Sequence, residues 1–137
     1  MNNIIETIPN EKGYTDDDLL INGLRLRFIS IKQHPIYGQS HYFRIEDETL
    51  KPDNLLFYLE NECKIVYGPI WKTDNDSDHM IRVSNVKDIK LSKNCYYFCD
   101  VRLIRTFVRG VNGKAYYANI TSATPCPNVN IYDPFMD

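Results

Sequence analysis

The chain has 137 residues and a mass of 16.1 kDa; 43% of the residues are hydrophobic and 25% are charged, as in one ordinary globular domain. The mean hydropathy is −0.41, and no apolar run approaches the roughly 20 residues that cross a bilayer, so a membrane-spanning segment is excluded. The formal net charge is −2, and the first residues lack the basic and apolar regions of a secretory signal, so we expect an intracellular protein.

The two ends of the chain differ in composition from its middle. Residues 1–20 are polar and acidic, with three consecutive aspartates at positions 16–18. This composition predicts a partly ordered acidic tail. Residues 125–137 contain three prolines and predict an extended tail. The folded domain is therefore expected to cover residues 21–124.

Two segments near the start of this domain predict strands. Residues 24–28 alternate leucine or phenylalanine with arginine, which is the period of a half-buried strand. Residues 34–38 predict a turn, and residues 41–45 predict a second strand. The two strands carry basic residues between their apolar ones: Arg25, Arg27 and Arg44.

The middle of the chain predicts one short helix among further strands. Proline favours the first turn of a helix, and after Pro52 a helix would place Leu55, Leu56 and Leu59 on one face. A strand is nearly as well supported there, because the apolar run is short and partly aromatic. Strands are also predicted at residues 63–67, 80–83 and 86–91, with a polar loop at 72–78 that follows Trp71.

The strongest local pattern is a hairpin over residues 96–120. Two runs rich in aromatic and β-branched residues flank Asn112 and Gly113, a pair that favours the type I′ turn of a two-residue hairpin loop. In that register Arg109 opposes Tyr116, Phe107 opposes Ala118, and Arg105 opposes Ile120, so the arginines and rings share one face.

The phase of the first hairpin strand leaves two alternatives open. Alternation places four core-like residues on the same face as Arg105: Tyr97, Cys99, Val101 and Leu103. Either a bulge near Ile104 exchanges the two faces, or the strand leaves the core before Arg105.

The predicted elements define the fold class. Five or six strands and at most one helix in about 100 residues indicate an all-β protein, or a β-rich one with one short helix. A small barrel of the oligonucleotide-binding (OB) type is the first choice, because closure removes sheet edges, and an open β-sandwich is the alternative. The resemblance is to this general pattern and to no particular family.

Charge is distributed unevenly along the chain. Residues 1–79 carry 8 Lys or Arg and 14 Asp or Glu, whereas residues 80–120 carry 8 basic and 2 acidic residues. Such asymmetry indicates a face that meets a polyanion, although acidic and basic segments that neutralise each other in the fold would give the same pattern.

These observations favour a protein that binds single-stranded DNA or RNA. Guanidinium groups would hold phosphates and flat rings would accept unpaired bases. The phosphate contacts are assigned to Arg102, Arg105, Arg109 and Lys114, and the stacking contacts to Phe107, Tyr116 and Trp71. The early-strand arginines, Arg25, Arg27 and Arg44, would extend the groove.

The alternative is a protein-interaction or assembly module, viral or host-modulating, that forms a homo-oligomer or holds a protein partner through a strand edge or the two tails. Tyrosine, asparagine, isoleucine and lysine are abundant, which AT-rich codons would also produce, and this bias suggests a virus, a phage or an AT-rich parasite as the source.

No catalytic residue, metal site or cofactor is predicted. The chain has no Gly-rich phosphate loop, nucleophile elbow or His-Glu-x-x-His motif, so we expect no enzyme. The polar loop at 72–78 has the aspartate spacing of a calcium loop but lacks its glycine and its closing glutamate. The four cysteines have no Cys-x-x-Cys spacing and are expected to be free.

Overall fold

The computed structural model describes residues 5–10, 17–48, 50–75, 78–86 and 88–127. Eight strands and one helix follow one another along the described chain: β1 (Ile5–Ile8), β2 (Asp18–His34), β3 (Gly38–Ile45), α1 (Pro52–Asn61), β4 (Ile65–Tyr67), β5 (Ile70–Lys72), β6 (His79–Val86), β7 (Tyr96–Thr106) and β8 (Lys114–Pro125). The prediction of a β-rich protein with one short helix is confirmed.

Five of the strands form a ring. Its order is β2, β3, β6, β8 and β7, and β7 pairs with β2 to complete it. The β6–β8 pair is parallel and the other four pairs are antiparallel. This ring is consistent with the predicted small OB-like barrel. The remaining strands extend it at its margins: β1 pairs with β2, β4 with β8, and β5 with β6.

The long strand β2 pairs with β7 along one edge and with β1 and β3 along the other. Its alternation is confirmed, since Leu24, Leu26 and Phe28 are buried while the intervening arginines are half-buried. The pairing register with β7 shifts between Ile21 and Leu24, and Gly23 lies in this bulge with a φ of 64°. The bend lets one strand pair first with β1 and later with β3.

Helix α1 closes one side of the core. It begins at Pro52, and its buried side chains are Leu55 and Leu59, so the helix is confirmed over the alternative strand. The apolar face of the helix packs on the core cluster, which includes Phe43, Ile81 and Val83 from β3 and β6.

The bounds of the strands fall outside the expected domain limits at both ends. Strand β1 and the first residues of β2 lie within the segment predicted as an acidic tail, and β8 continues to Pro125. Strand pairing explains why both ends are ordered: β1 pairs with β2, and the end of β8 pairs with β7. The pairing satisfies the hydrogen-bonding groups of the backbone, which composition does not reveal. Most of the predicted C-terminal tail, residues 128–137, lies outside the described residues.

The predicted hairpin register is wrong by several residues. Strand β7 ends at Thr106, which pairs with Ala115, so the loop contains residues 107–113 rather than Asn112 and Gly113 alone. Val108 is buried, and its carbonyl accepts a hydrogen bond of 3.0 Å from the Val111 amide, which closes a turn inside the loop. Burial of that one side chain therefore ends the pairing earlier than the Asn-Gly pattern predicts.

A glycine pair in this loop gives a matched stability test. Gly113 has a φ of 119°, and an added Cβ would meet Val66 Cγ2 at 2.9 Å, whereas Gly110 has a φ of 86° and open space around it. We expect Gly110→Ala to lose about 1–2 kcal/mol of unfolding free energy, from backbone strain alone. Gly113→Ala should lose more, because the Val66 side chain on β4 must also move. Urea unfolding of both variants checks the order, and equal losses would contradict it.

Candidate functional site

The β8 side of the predicted binding face of the hairpin belongs to the core. Opposed residues do share a face, but in the observed register Arg105 pairs with Tyr116 and Leu103 with Ala118. Tyr116 is 2% exposed, and its hydroxyl donates a hydrogen bond to the Asp17 carbonyl. The prediction that this ring lies on an open surface is therefore wrong. Strand β7 leaves the core near Arg105, which is the second of the two alternatives for its phase.

Two of the predicted phosphate ligands surround a buried carboxylate. Asp18 is 2% exposed at the start of β2, and its Oδ2 accepts from Arg102 Nε at 3.1 Å and Nη2 at 3.0 Å. Its Oδ1 accepts from the Arg105 backbone amide at 2.9 Å and from Asn10 Nδ2 at 2.5 Å. The Arg105 guanidinium donates to the Thr106 carbonyl at 2.8 Å. The Arg102 side chain and the Arg105 backbone amide therefore hold the start of β2 against β7.

The early-strand arginines are engaged in a second network. The guanidinium carbons of Arg25 and Arg27 lie 5.0 and 5.7 Å from the ring centre of Tyr96. Arg44 forms ion pairs with Glu46 at 3.6 Å and with Asp78 at 2.6 Å. The structure thus brings these three arginines together, but with carboxylates and a ring of the same chain.

The remaining predicted residues are spread over the surface. Phe107 is 74% exposed and Arg109 is exposed in the β7–β8 loop. Lys114 is half-buried at the start of β8, beside Cys63. Trp71 is half-buried on β5, where it packs edge-on against Tyr42 with ring centres 6.0 Å apart.

Trp71 belongs to a set of rings that the sequence did not reveal, which forms two contacting groups: Trp71 with Tyr42, and Tyr37 with three further rings. We call it the aromatic row; all of its members are half-buried: His34, Tyr37, Tyr42, Tyr67, Trp71 and Tyr117. The Tyr37 ring centre lies 5.4 Å from that of His34, 6.2 Å from that of Tyr67 and 6.0 Å from that of Tyr117.

The β2–β3 turn places the central ring of this row. His34 Nδ1 accepts hydrogen bonds from the backbone amides of Ile36 at 3.1 Å and Tyr37 at 3.2 Å. This side chain therefore fixes the turn at residues 35–37 from which Tyr37 projects. Burial raises the pKa of the Tyr37 phenol, so this ring is neutral near pH 7.

A buried arginine lies between the two groups of rings. Arg82 on β6 is 5% exposed and pairs in register with Tyr42 on β3. Its guanidinium carbon lies 4.6 Å from the Tyr37 ring centre. The row and Arg82 together cover the outer side of β3 and β6, because the inner side of these strands is filled by core residues such as Phe43 and Ile81.

The charge of Arg82 is not balanced by a carboxylate within the described part of the chain. Burial lowers the pKa of its guanidinium, while the phenol groups of Tyr67, Tyr37 and Tyr42 act in the opposite direction. Its Nε and Nη2 atoms are buried and have no hydrogen-bond partner among the described residues. A buried cation whose donors lack partners lowers the stability of a folded protein, because both the charge and the N–H groups have lost their contact with water.

The row could not be found from local patterns. Its members come from the end of β2, the following turn, and strands β3, β4, β5 and β8, so no period along the sequence connects them. The one available signal is the excess of tyrosine, which base composition explains equally well.

The described residues offer little metal or thiol chemistry. No group of three or more metal-binding side chains occurs among them. The cysteines are free, and burial raises the pKa of Cys99 to about 12, which makes its thiol unreactive at neutral pH. Within the described ranges, no helix has the length and apolarity needed to span a bilayer.

Comparisons with known proteins give little beyond this. No protein-family model and no curated protein sequence matches the chain. Among solved structures, the chain is similar to a single-stranded DNA-binding protein from bacteriophage Enc34 in complex with single-stranded DNA. The TM-score is 0.38 and the identity is 12%, over 86% of this chain and 93% of that chain. A likeness at this level transfers neither an activity nor a residue role.

Proposed function

We propose that this protein binds single-stranded nucleic acid, with unpaired bases stacked on the aromatic row. The observation that carries the proposal is the set of six half-buried rings over one outer side of the barrel, in two contacting groups with Arg82 between them. Each base stacked on an aromatic side chain contributes about 1–3 kcal/mol and needs little sequence preference, because every base has a flat face.

The position of the row in the ring of strands supports the same function by analogy. OB barrels bind oligonucleotides on the face of their second and third strands and on the loops after the first and fourth. Counted along the chain, the second and third ring strands are β3 and β6, and the loops are residues 35–37 and 107–113. The analogy concerns the fold alone.

The β7–β8 loop is proposed to contribute from one side. Phe107 and Arg109 are exposed there, and the end of the loop contacts β4, which carries Tyr67 of the row. The ring of Phe107 can accept a further base and Arg109 can contact a phosphate. Of the residues assigned to the ligand from the sequence, Phe107, Arg109 and Trp71 fit the proposed site best.

The proposed role is binding without catalysis, on DNA or RNA inside a cell. Three arginines are not assigned to the ligand, because each forms an ion pair with a carboxylate of the same chain: Arg27 and Arg44 with Glu46, and Arg102 with Asp18. Fewer phosphate contacts are therefore expected than the basic composition of residues 80–120 suggests, and stacking should supply most of the affinity.

Fluorescence anisotropy with a labelled oligothymidine of about 30 nucleotides tests this function, at salt concentrations of about 50 and about 200 mM. We expect binding that weakens with salt and is much stronger than binding to a duplex of the same length, since paired bases cannot stack on the row. An oligouridine of equal length separates DNA from RNA. Absence of binding to both single strands at low salt would overturn the proposal.

A further inference from the structure

The contact between Arg82 and His34 contains more donors than acceptors. A neutral imidazole has one N–H and one acceptor nitrogen. His34 Nδ1 faces two backbone N–H groups, at 3.1 and 3.2 Å, so Nδ1 is the acceptor and the proton is on Nε2. Burial and the charge of Arg82 both lower the pKa of His34, which favours this neutral form.

That assignment leaves two donors facing each other. His34 Nε2 lies 3.3 Å from Arg82 Nη1, and both atoms carry hydrogen. Since Nε and Nη2 of Arg82 also have no partner, the guanidinium has no acceptor among the described residues. Four donor groups, His34 Nε2 and the three guanidinium nitrogens of Arg82, thus lack an acceptor among the described residues.

We propose that His34 and Arg82 form a subsite for one phosphodiester group of the nucleic-acid backbone, a proposal that rests on the proposed function. An anionic oxygen between the two side chains accepts from His34 Nε2 and Arg82 Nη1 together. The second charged oxygen of the same phosphate can accept from Nη2, because the two Nη groups of a guanidinium match two oxygens of one phosphate. The phosphate also supplies the negative charge that the site lacks.

The Tyr37 side chain covers one face of the Arg82 guanidinium in this subsite. Its ring covers the guanidinium at 4.6 Å, and its hydroxyl is buried without a hydrogen-bond partner among the described residues. Displacing the ring therefore breaks no hydrogen bond of the phenol, and the displaced ring is free to stack on the adjacent base. The phosphate contact and the stacking contact would then form in one step.

The salt dependence of binding tests the subsite. Each phosphate contact to a single strand contributes a slope of about −0.7 in log K against log salt. We expect Arg82→Gln to weaken oligothymidine binding and to reduce the slope by about 0.7, the value for one phosphate. Lys93→Gln, which removes an exposed charge between β6 and β7, is the control and should leave the slope unchanged. An unchanged slope in a folded Arg82→Gln variant would overturn the proposal.

A measurement on the unmodified protein covers the case in which that variant does not fold. The probes are the dinucleotide dTpdT and its methylphosphonate analogue, in which the linking phosphate carries no charge. In ¹H–¹⁵N NMR spectra, dTpdT should shift the Arg82 Nε–H and His34 ring signals, and the uncharged analogue should not. Equal shifts with both probes, or shifts with neither, would overturn the subsite.

The two proposals fail in different ways. Oligothymidine binding with an unchanged slope in the Arg82 variant, and equal responses to the two dinucleotides, would remove the phosphate subsite and leave the stacking function. A specific response to dTpdT without binding of the oligothymidine or oligouridine of about 30 nucleotides would leave the phosphate subsite and remove the proposed function.

Discussion

Trp71→Ala and Tyr117→Ala are each expected to weaken oligothymidine binding by about 5- to 150-fold, which corresponds to the loss of one stacked base at about 1–3 kcal/mol. The two rings belong to different contacting groups of the aromatic row, so we expect them to stack on different bases. Trp71→Phe should retain most of the affinity, because a flat ring remains. Anisotropy titrations at one salt concentration give the three dissociation constants.

The control for this experiment is another exposed aromatic residue. Phe98 on β7 is 47% exposed and lies outside the aromatic row. Phe98→Ala removes a ring of similar size and should leave binding unchanged. Equal weakening by Phe98→Ala and Trp71→Ala would indicate a general surface effect and would count against the row as the binding site.

Asp18→Asn is expected to lower the free energy of unfolding by about 3 kcal/mol, the low end of the range for breaking a buried ion pair. The substitution removes the charge that the Arg102 side chain faces at two nitrogens, and Arg102 is only 24% exposed at its side chain. The new amide also places a donor group near the Arg105 amide or Asn10, where the carboxylate accepts. Urea unfolding measures the loss.

Asp17→Asn provides the matched control, because Asp17 is exposed and its contact with Tyr116 uses the backbone carbonyl. We expect a change within about 0.5 kcal/mol, as for ordinary surface substitutions. If the two variants lost the same stability, the loss would reflect net charge at the N-terminal strands rather than the buried carboxylate. Asp18→Asn should also leave oligonucleotide affinity per folded molecule unchanged, since Asp18 is not among the residues assigned to a base or a phosphate.

Local patterns determined several elements of the fold. The alternation of residues 24–28 predicted the buried positions of β2, and Pro52 with its following leucines predicted α1. The number of short strands predicted a small barrel, and the ring of five strands is consistent with it. These predictions hold because side-chain period and proline geometry act within a few residues, where the sequence is directly informative.

Tertiary contacts decided the register of the hairpin and the role of its arginines. Asn112 and Gly113 favour a two-residue turn, but burial of Val108 moved the loop to residues 107–113. The excess of basic residues after position 80 indicated a polyanion, and Arg102 instead pairs with Asp18, 84 residues away in the chain. A sequence shows how many charges a segment has, but the fold determines which of them meet.

The sequence by itself therefore determined the strand-rich class, the one helix and the buried side of β2. Only the tertiary structure decided the candidate site, because the aromatic row joins residues of six chain segments and surrounds Arg82. The fold brings the end of β2, the turn that follows it, and strands β3, β4, β5 and β8 to one surface, although they are far apart in the sequence. The chemistry of that surface depends on long-range pairing, which no local period records.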